Sequence, residues 1–347
     1  MKKAIFATLL GGLTLSGCTS SEVYEESVQA NAIGFENVVG KQTRGVDDTS
    51  IGGDLTTSNL DELYVYGYYT PKNNATNYIQ VFHQEKVSKT GDNTWTYNNT
   101  RYWVPDAIYN FYAYSCGDIK LNTDFGSPTL DLVNDPARVL RFSDYICDES
   151  HQHDLIYAYN EGVVGRKAGE GNDRVSFQFN HILTKLSAEF VSEFPADYDV
   201  YISNVRVENI RNRGSYDPKA NDVYKWTKVE RKEADAVVNL SVPANNKTIA
   251  GGASVKTGSA YVIPYNYSAG DVKLIFDVVV KKGNENILSR HMTGSWSPNW
   301  KIGYNYNYKI KITGTAANLD KIEFKDMNVA DWAGEDVTDV TITFAVN

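Results

Sequence analysis

Short stretches with an apolar residue at every second position recur along the chain, and this spacing is typical of β-strands with one buried face. The clearest predicted strands are Leu63–Tyr69, Tyr78–His83, Val200–Ile210, Val272–Val280 and Tyr304–Thr313. In the last stretch, the side chains on one face are Tyr304, Tyr306, Tyr308, Ile310 and Ile312. No long stretch repeats its apolar residues with the 3.6-residue period of a helix, so we predict an all-β protein.

Composition and turn spacing refine this prediction to β-sandwiches. The 24 Tyr, 13 Phe and 6 Trp are residue types that favour strands, and turn-forming residues recur at the spacing of antiparallel sandwiches. The chain after residue 17 is too long for one small domain and suits two. The polar, Gly-rich stretch Gly165–Asp173 precedes a predicted boundary near Asn180. We therefore predict an N-terminal domain over 45–180 and a C-terminal domain over 181–347.

The first residues have the pattern of an export signal. Lys2 and Lys3 precede the apolar run Ala4–Leu15, which is too short to span a bilayer and is typical of a secretory signal peptide. The run ends in LSGC, with small residues directly before Cys18, as in lipoprotein signals. We expect removal of residues 1–17, acylation of Cys18, and anchoring in the outer membrane by two or three acyl chains. The alternative is an ordinary signal peptide in which Cys18 is incidental.

Net charge and the absence of catalytic motifs narrow the function classes. The formal charge is −9 and the sequence has no Lys/Arg stripe, so we do not expect a nucleic-acid partner. The sequence motifs of serine hydrolases, zinc proteases and phosphate-binding loops are absent. His151 and His153, in the sequence HQHD, supply two imidazoles where a zinc site needs three or four ligands. We predict a protein that is not an enzyme and holds no metal or cofactor.

Two further cysteines, Cys116 and Cys147, form an even pair in a chain predicted to be exported. Two cysteines are too few for the disulfide framework of a small secreted domain. The sequence leaves open whether they form one disulfide bond or remain free thiols.

A second apolar segment lies between the signal and the first long predicted strand. It carries Ile33, Phe35 and Val39 and is followed by a polar tract that contains Arg44 before Gly45. Polar loop segments are where proteases reach a backbone, so a trypsin-like enzyme would cut the Arg44–Gly45 bond. On these residues alone, a functional cleavage site and an ordinary loop arginine both stay open.

The chain ends in DVTDVTITFAVN, where Val340, Ile342, Phe344 and Val346 share one face of a predicted strand. A terminal strand this apolar must fill a groove to remove its side chains from water. The groove belongs either to the strand's own sheet or, by β-strand addition, to a neighbouring molecule.

Six stretches form an ordered set along the chain: AIGFENVVGKQTRG, YWVPDAIYNFYAYS, HDLIYAY, FNHILTKLSAEF, SWSPNWKIGYNYNYKIKITG and IEFKDMNVADW. Together with the lipoprotein signal, this set resembles the fimbrillin-like family, the type V pilins of Gram-negative gut and oral anaerobes. The resemblance extends from Ala32 to Trp332. It implies two tandem β-sandwich domains of transthyretin-like topology and a structural role as a fimbrial subunit that contributes to adhesion.

The resemblance also implies a mechanism of assembly. An arginine-specific protease would cut Arg44–Gly45 and remove the propeptide 18–44, in which Ile33, Phe35 and Val39 plug a groove of the N-terminal domain. A donor strand within 337–347 of another subunit would then fill the groove. The implied partners are other pilin subunits in a head-to-tail polymer, the protease, and the outer membrane before processing.

Clustered aromatic residues support a different hypothesis, in which exposed rings bind sugars. The candidates are Trp95, Tyr97, Tyr102, Trp103, Trp296 and Trp300. The chain would then be a tip adhesin or a surface lipoprotein that binds host or dietary glycans, or a host protein. The alternative is that these rings fill sandwich cores and edge faces.

Overall fold

The structure is a computed structural model that describes residues 31–39, 54–56, 58–91, 94–167, 174–232, 236–243, 248–250, 253–268, 270–312, 328–331 and 343–344. Within these ranges the chain forms β-strands joined by turns and loops, and it contains no helix. The strands are β1 (Gly34–Val39), β2 (Glu62–Thr70), β3 (Ile79–Gly91), β4 (Thr94–Tyr97), β5 (Ile108–Ser115), β6 (Ser127–Thr129), β7 (Arg141–Ile146), β8 (Ile156–Val164), β9 (Arg174–His181), β10 (Thr184–Ser192), β11 (Tyr198–Glu208), β12 (Arg213–Tyr216), β13 (Trp226–Glu230), β14 (Val237–Asn239), β15 (Thr248–Ala250), β16 (Ser254–Lys256), β17 (Ala260–Val262), β18 (Tyr265–Asn266), β19 (Val272–Lys282), β20 (Glu285–Trp296), β21 (Asn299–Trp300), β22 (Tyr304–Ile312), β23 (Asn328–Asp331) and β24 (Thr343–Phe344).

A seven-stranded sheet in the order β1-β9-β8-β5-β2-β3-β4 forms the N-terminal half. One face of this sheet surrounds a core to which all seven strands contribute, which we call the inner core. The two outermost strands, β1 and β4, approach each other, since the rings of Phe35 and Tyr97 have centroids 5.6 Å apart. The sheet therefore curls around its core and nearly closes on itself.

The sequence of β2 explains how one strand serves two cores. Leu63 and Val65 point into the inner core, while Tyr64 and Tyr66 point to the opposite face. Both sets are buried, as expected for a central strand covered on both sides. Gly67 falls on the inner face, where a Cβ atom would lie 2.8 Å from the Phe111 ring.

The tyrosine face of the seven-stranded sheet packs against a second core, which we call the junction core. This core also contains Ile182, Leu183, Trp226 and Tyr261 from the second half of the chain. A four-stranded sheet in the order β13-β12-β7-β6 covers it, with two strands from each half. The two halves are thus joined by shared packing and by a shared sheet.

A sandwich of two sheets forms the remainder of the C-terminal half. One sheet has β16 and β17 on one side of β10, followed by β22 and β23; the other has β14 and β15 beside β11, followed by β19, β20 and β24. The facing side chains form a third core, in which the rings of Phe190 and Phe276 are 4.9 Å apart. Strand β22 buries Tyr306, Tyr308 and Ile310 on one face, as its alternating sequence predicts.

The described strands confirm the all-β prediction, and β2, β3, β11, β19 and β22 overlap the five strands read from the sequence. The division into two domains stays a prediction. Asn180 lies inside β9, one residue before that strand ends, and the next strand begins at Thr184 in a different sheet.

We expect Gly165→Ala to destabilise the protein by about 1–3 kcal/mol, because the new Cβ must be accommodated by a backbone shift. A Cβ atom at Gly165 would lie 2.0 Å from the carbonyl oxygen of Val104. The matched control is Gly91→Ala, since the nearest atom to a Cβ there is 3.8 Å away. Urea unfolding measures both, and equal stability of the two variants would contradict the prediction.

Candidate functional site

Strand β1 lies at the edge of the seven-stranded sheet, parallel to β9, with Gly34 opposite Arg174 and Val39 opposite Phe179. Most strand pairs in the described parts of the chain are antiparallel; the pairs β1–β9 and β10–β22 are parallel. No short turn can join two parallel neighbours. The pairing therefore brings a segment from the start of the chain beside a strand about 140 residues later.

The first half of β1 and the residue before it fill a gap in the inner core. Ile33 is 1% exposed and Phe35 is 2% exposed. The Phe35 ring lies 5.3 Å from Phe82, 5.7 Å from Phe177 and 6.2 Å from Phe111, measured between ring centroids. Each of the two side chains contributes about 1.5–3 kcal/mol by leaving water.

The start of β1 is also hydrogen-bonded to the segment that follows β4. The Ile33 amide donates to the Arg101 carbonyl at 2.8 Å, and the Trp103 amide donates to the Asn31 carbonyl at 3.0 Å. The Tyr97 hydroxyl donates to the Ile33 carbonyl at 2.7 Å. The chain around β1 therefore bridges the two ends of the curled sheet, and its absence would leave an open groove along β9.

A cluster of buried polar groups holds Asp54 and Leu55, the next described residues after β1. Lys185 Nζ lies 2.7 Å from Asp54 Oδ2, and the Tyr261 hydroxyl donates to Asp54 Oδ1 at 2.8 Å. The Leu55 amide donates to Asp154 Oδ2 at 2.8 Å. Because Lys185 and Tyr261 belong to β10 and β17, this cluster ties the N-terminal chain to the C-terminal half.

The contacts fix both ends of the segment 40–53, which itself lies outside the described residues. Val39 pairs with Phe179, and His181 Nδ1 lies 2.8 Å from the Asp154 carboxylate that also binds the Leu55 amide. These links place the two ends no more than about 25 Å apart. Fourteen residues separate the two ends in the sequence, and the contour length of a chain of that size is roughly 50 Å, which exceeds this distance.

The described parts of the C-terminal tail add an edge strand to each sheet of the sandwich. Strand β23 pairs with β22, and β24 pairs with β20 through Phe344 opposite Gly294 and Thr343 opposite Ser295. Of the four proposed donor residues, Phe344 is thus located in backbone pairing at the edge of its own C-terminal half. Val340, Ile342 and Val346 lie outside the described residues, as do Cys18, Arg44 and Gly45.

Cys116 and Cys147 are both fully buried and are free thiols in the structure, with no disulfide between them. The Cys147 thiol donates to the Tyr261 carbonyl at 3.2 Å. Burial raises the pKa of both thiols, which keeps them protonated. They act as small core side chains on the junction side of the seven-stranded sheet.

The HQHD stretch has structural partners. His151 Nδ1 lies 2.7 Å from Asp148, and the ring stacks near Phe125. Burial lowers the pKa of His153, which favours its neutral form. Across the described ranges, no group of three or more His, Cys, Asp or Glu side chains is arranged to hold a metal ion. These same ranges contain no helix with the length and apolarity needed to cross a membrane.

Most of the aromatic residues that the sequence offered for sugar binding are core residues. Trp95, Trp103, Trp296 and Trp300 are all buried. Tyr97 is half-buried against Phe35. Only Tyr102, 44% exposed, offers an accessible ring among the six candidates. The burial of the other rings removes the flat platform on which the glycan hypothesis depends.

We expect Asp54→Asn to lower the free energy of unfolding by about 3 kcal/mol, because the salt bridge between this carboxylate and the buried Lys185 ammonium is removed. Asp106→Asn is the matched control, since Asp106 pairs with Lys72 at the surface and such pairs contribute less than about 1 kcal/mol. Chemical denaturation of both variants tests the difference. Similar small losses in both would mean that the Asp54 cluster does not hold the junction.

Comparison with known proteins places this fold in a family. The model of the fimbrillin-like family matches residues 43–332. A fimbrial protein from Bacteroides vulgatus is similar in structure, with 16% identity, a TM-score of 0.59, and coverage of 87% of this chain and 100% of that one. A candidate cell adhesion protein from Bacteroides uniformis has 18% identity, a TM-score of 0.48, and coverage of 87% and 98%. No curated protein sequence matches the chain. Because the family model covers most of its length, the chain belongs to the fimbrillin-like family.

Proposed function

We propose that the protein is a structural fimbrial subunit that polymerises by strand exchange after a protease removes β1. The observation that carries the proposal is the position of β1. Phe35 of β1 and the preceding Ile33 complete the inner core, yet the only covalent link from β1 to the following strands runs through the segment that contains Arg44. Family membership and the fimbrial protein of similar fold support the subunit role.

Cleavage at Arg44–Gly45 changes how β1 is held. Before the cut, β1 is an integral edge strand of a folded molecule; afterwards it is a separate peptide that can dissociate. Loss of β1 leaves the edge of β9 without a hydrogen-bonding partner and exposes the rings of Phe82, Phe111 and Phe177. Such an edge with an apolar floor is a template for another strand.

The C-terminal tail is the proposed donor. Its four alternating apolar residues, Val340, Ile342, Phe344 and Val346, suit an alternating floor such as that next to β9. Within the described residues, β24 pairs with β20 through Phe344 opposite Gly294 and Thr343 opposite Ser295, so the donor strand would leave this edge of its own sheet when it enters a neighbouring groove.

Donor and acceptor are different surfaces of the molecule, so the contact is head-to-tail and produces an open filament. The partners are then other fimbrial subunits and an arginine-specific protease. In this proposal the precursor is attached to the outer membrane through the acylated Cys18, and the processed subunit belongs to a fimbrium at the cell surface that contributes to adhesion. The proposed subunit role depends on the packing of Phe35 against its aromatic neighbours and uses no catalytic residue.

The test of processing uses precursor that begins at residue 19 and an arginine-specific endoprotease. We expect ladders of polymer that resist SDS, formed only after the cut. Arg44→Lys should block the ladders with this protease, and trypsin, which accepts lysine, should restore them. Ladders that form before the cut, or that form equally from the Arg44→Lys protein with the arginine-specific protease, would contradict the proposal.

The test of the donor uses the same precursor with residues 338–347 deleted. We expect the deleted protein to be cut normally but to form no ladders by itself. Mixed with wild-type protein, it should shorten the ladders, because it accepts a strand but donates none. If the deleted protein forms ladders as long as those of the wild type, the tail is not the donor.

A further inference from the structure

Four exposed apolar side chains lie together at one end of the seven-stranded sheet. They are Tyr102, Val104, Ile108 and Val164, with 44%, 38%, 39% and 54% of their surfaces exposed. We call this group the distal rim. Contiguous apolar surface of this kind is typical of interaction sites, whereas isolated exposed apolar residues are ordinary.

Backbone contacts place the four residues of the distal rim at the same end of the sheet. Ile108 and Val164 are directly opposite each other in the pairing of β5 with β8. The Ala107 amide donates to the Val104 carbonyl at 3.2 Å, and the Gly165 amide donates to the Ala107 carbonyl at 2.7 Å. These two hydrogen bonds hold Val104 beside the end of β8. Tyr102 is two residues from Val104 and forms a bridge with Ala32, two residues before β1.

The distal rim therefore lies at the mouth of the groove that β1 occupies. Strand β1 begins there, since Gly34 faces Arg174 at the first residue of β9. At the other end of the groove, the chain leaving β9 passes through Ile182 and Leu183, which are buried in the junction core. That end is covered by the molecule's own C-terminal half, so we place the body of a second molecule that inserts a strand at the opposite end, beside the distal rim.

The length of the donor's tether also brings the second molecule close. Eight residues, 332–339, separate β23 from the proposed donor face. Fully extended, they reach about 27 Å, which is shorter than the roughly 30 Å length of β8. A donor strand seated in the groove thus holds the body of its own molecule next to the end at which it enters.

We propose that the distal rim is the docking surface for the body of a second copy of this chain, the copy that donates its strand. This inference rests on the proposed function. It adds that assembly needs two contacts: insertion of the donor strand along β9, and apolar packing of the donating molecule on Tyr102, Val104, Ile108 and Val164. The strand alone can occupy the groove, but the rim aligns the two bodies.

The experiment uses the double variant Ile108→Asp/Val164→Asp, and as the matched control Val223→Asp/Ile287→Asp, which adds the same charge at apolar residues 73% and 52% exposed elsewhere. After the cut at Arg44, we expect the rate of ladder growth to fall at least tenfold in the rim variant and to stay within twofold of wild type in the control. A synthetic peptide of residues 336–347 should bind cleaved wild-type and rim-variant proteins with the same affinity, because it requires only the groove.

Ladder growth at the wild-type rate in the rim variant would overturn the inference. So would a loss of peptide binding in that variant, since the substitutions would then act on the groove. A third result would also contradict the inference: the cleaved rim variant polymerises normally, but its uncut, lipid-free precursor no longer binds vesicles of phosphatidylcholine and phosphatidylglycerol. The rim would then contact a membrane. Failure of the proposed function is distinguishable, because cleaved wild-type protein would then form no ladders and bind no peptide.

Discussion

The inner core of the N-terminal half depends on one aromatic side chain from the start of the chain. Phe35 lies among Phe82, Phe111 and Phe177, and these rings belong to three different strands of the curled sheet. Aromatic contacts of this geometry add to the stability already gained by burial. The curvature of the sheet brings its two edges together around this ring, so the strand that carries Phe35 closes the inner core.

The junction between the halves is held by a different kind of interaction. The buried cluster around Asp54 includes a salt bridge between a carboxylate and an ammonium group, and breaking such a pair away from water is costly. It fixes the chain directly before the first long strand, and its partners come from β10 and β17. A cut in the backbone between residues 39 and 54 would therefore leave the chain after the cut attached to the C-terminal half, because Asp54 and Leu55 are held by these contacts.

Many of the strands could be predicted from the sequence, because apolar residues at every second position indicate which face of a strand is buried. Tyr306, Tyr308 and Ile310 are an example, and the apolar residues around Phe35 also indicate a strand. The pairing of strands could not be predicted in this way. The parallel contact of β1 with β9 has no local signal, because it depends on which edge of a curved sheet is vacant.

The cluster around Asp54 could not be predicted from the sequence either, because its members are far apart in the chain. Its members are separated by 131 residues from Asp54 to Lys185 and by 207 residues from Asp54 to Tyr261, so they form no motif. A polar residue that precedes a strand is also typical of an ordinary loop. One available signal was Lys185 itself, since a lysine within the apolar stretch HILTKLSAEF requires an acidic partner if it is buried. The identity of that partner required the three-dimensional structure.

The short distance between the fixed ends of segment 40–53 has a consequence for competition. While the chain is intact, β1 cannot move far from its groove, because the residues that follow it are bound near the end of that groove. In the proposed assembly, a strand from another molecule would have to compete with this covalently attached occupant. A single break in the backbone would end that advantage without altering any contact in the groove, and the intrinsic affinities of the competing strands would then decide which one is bound.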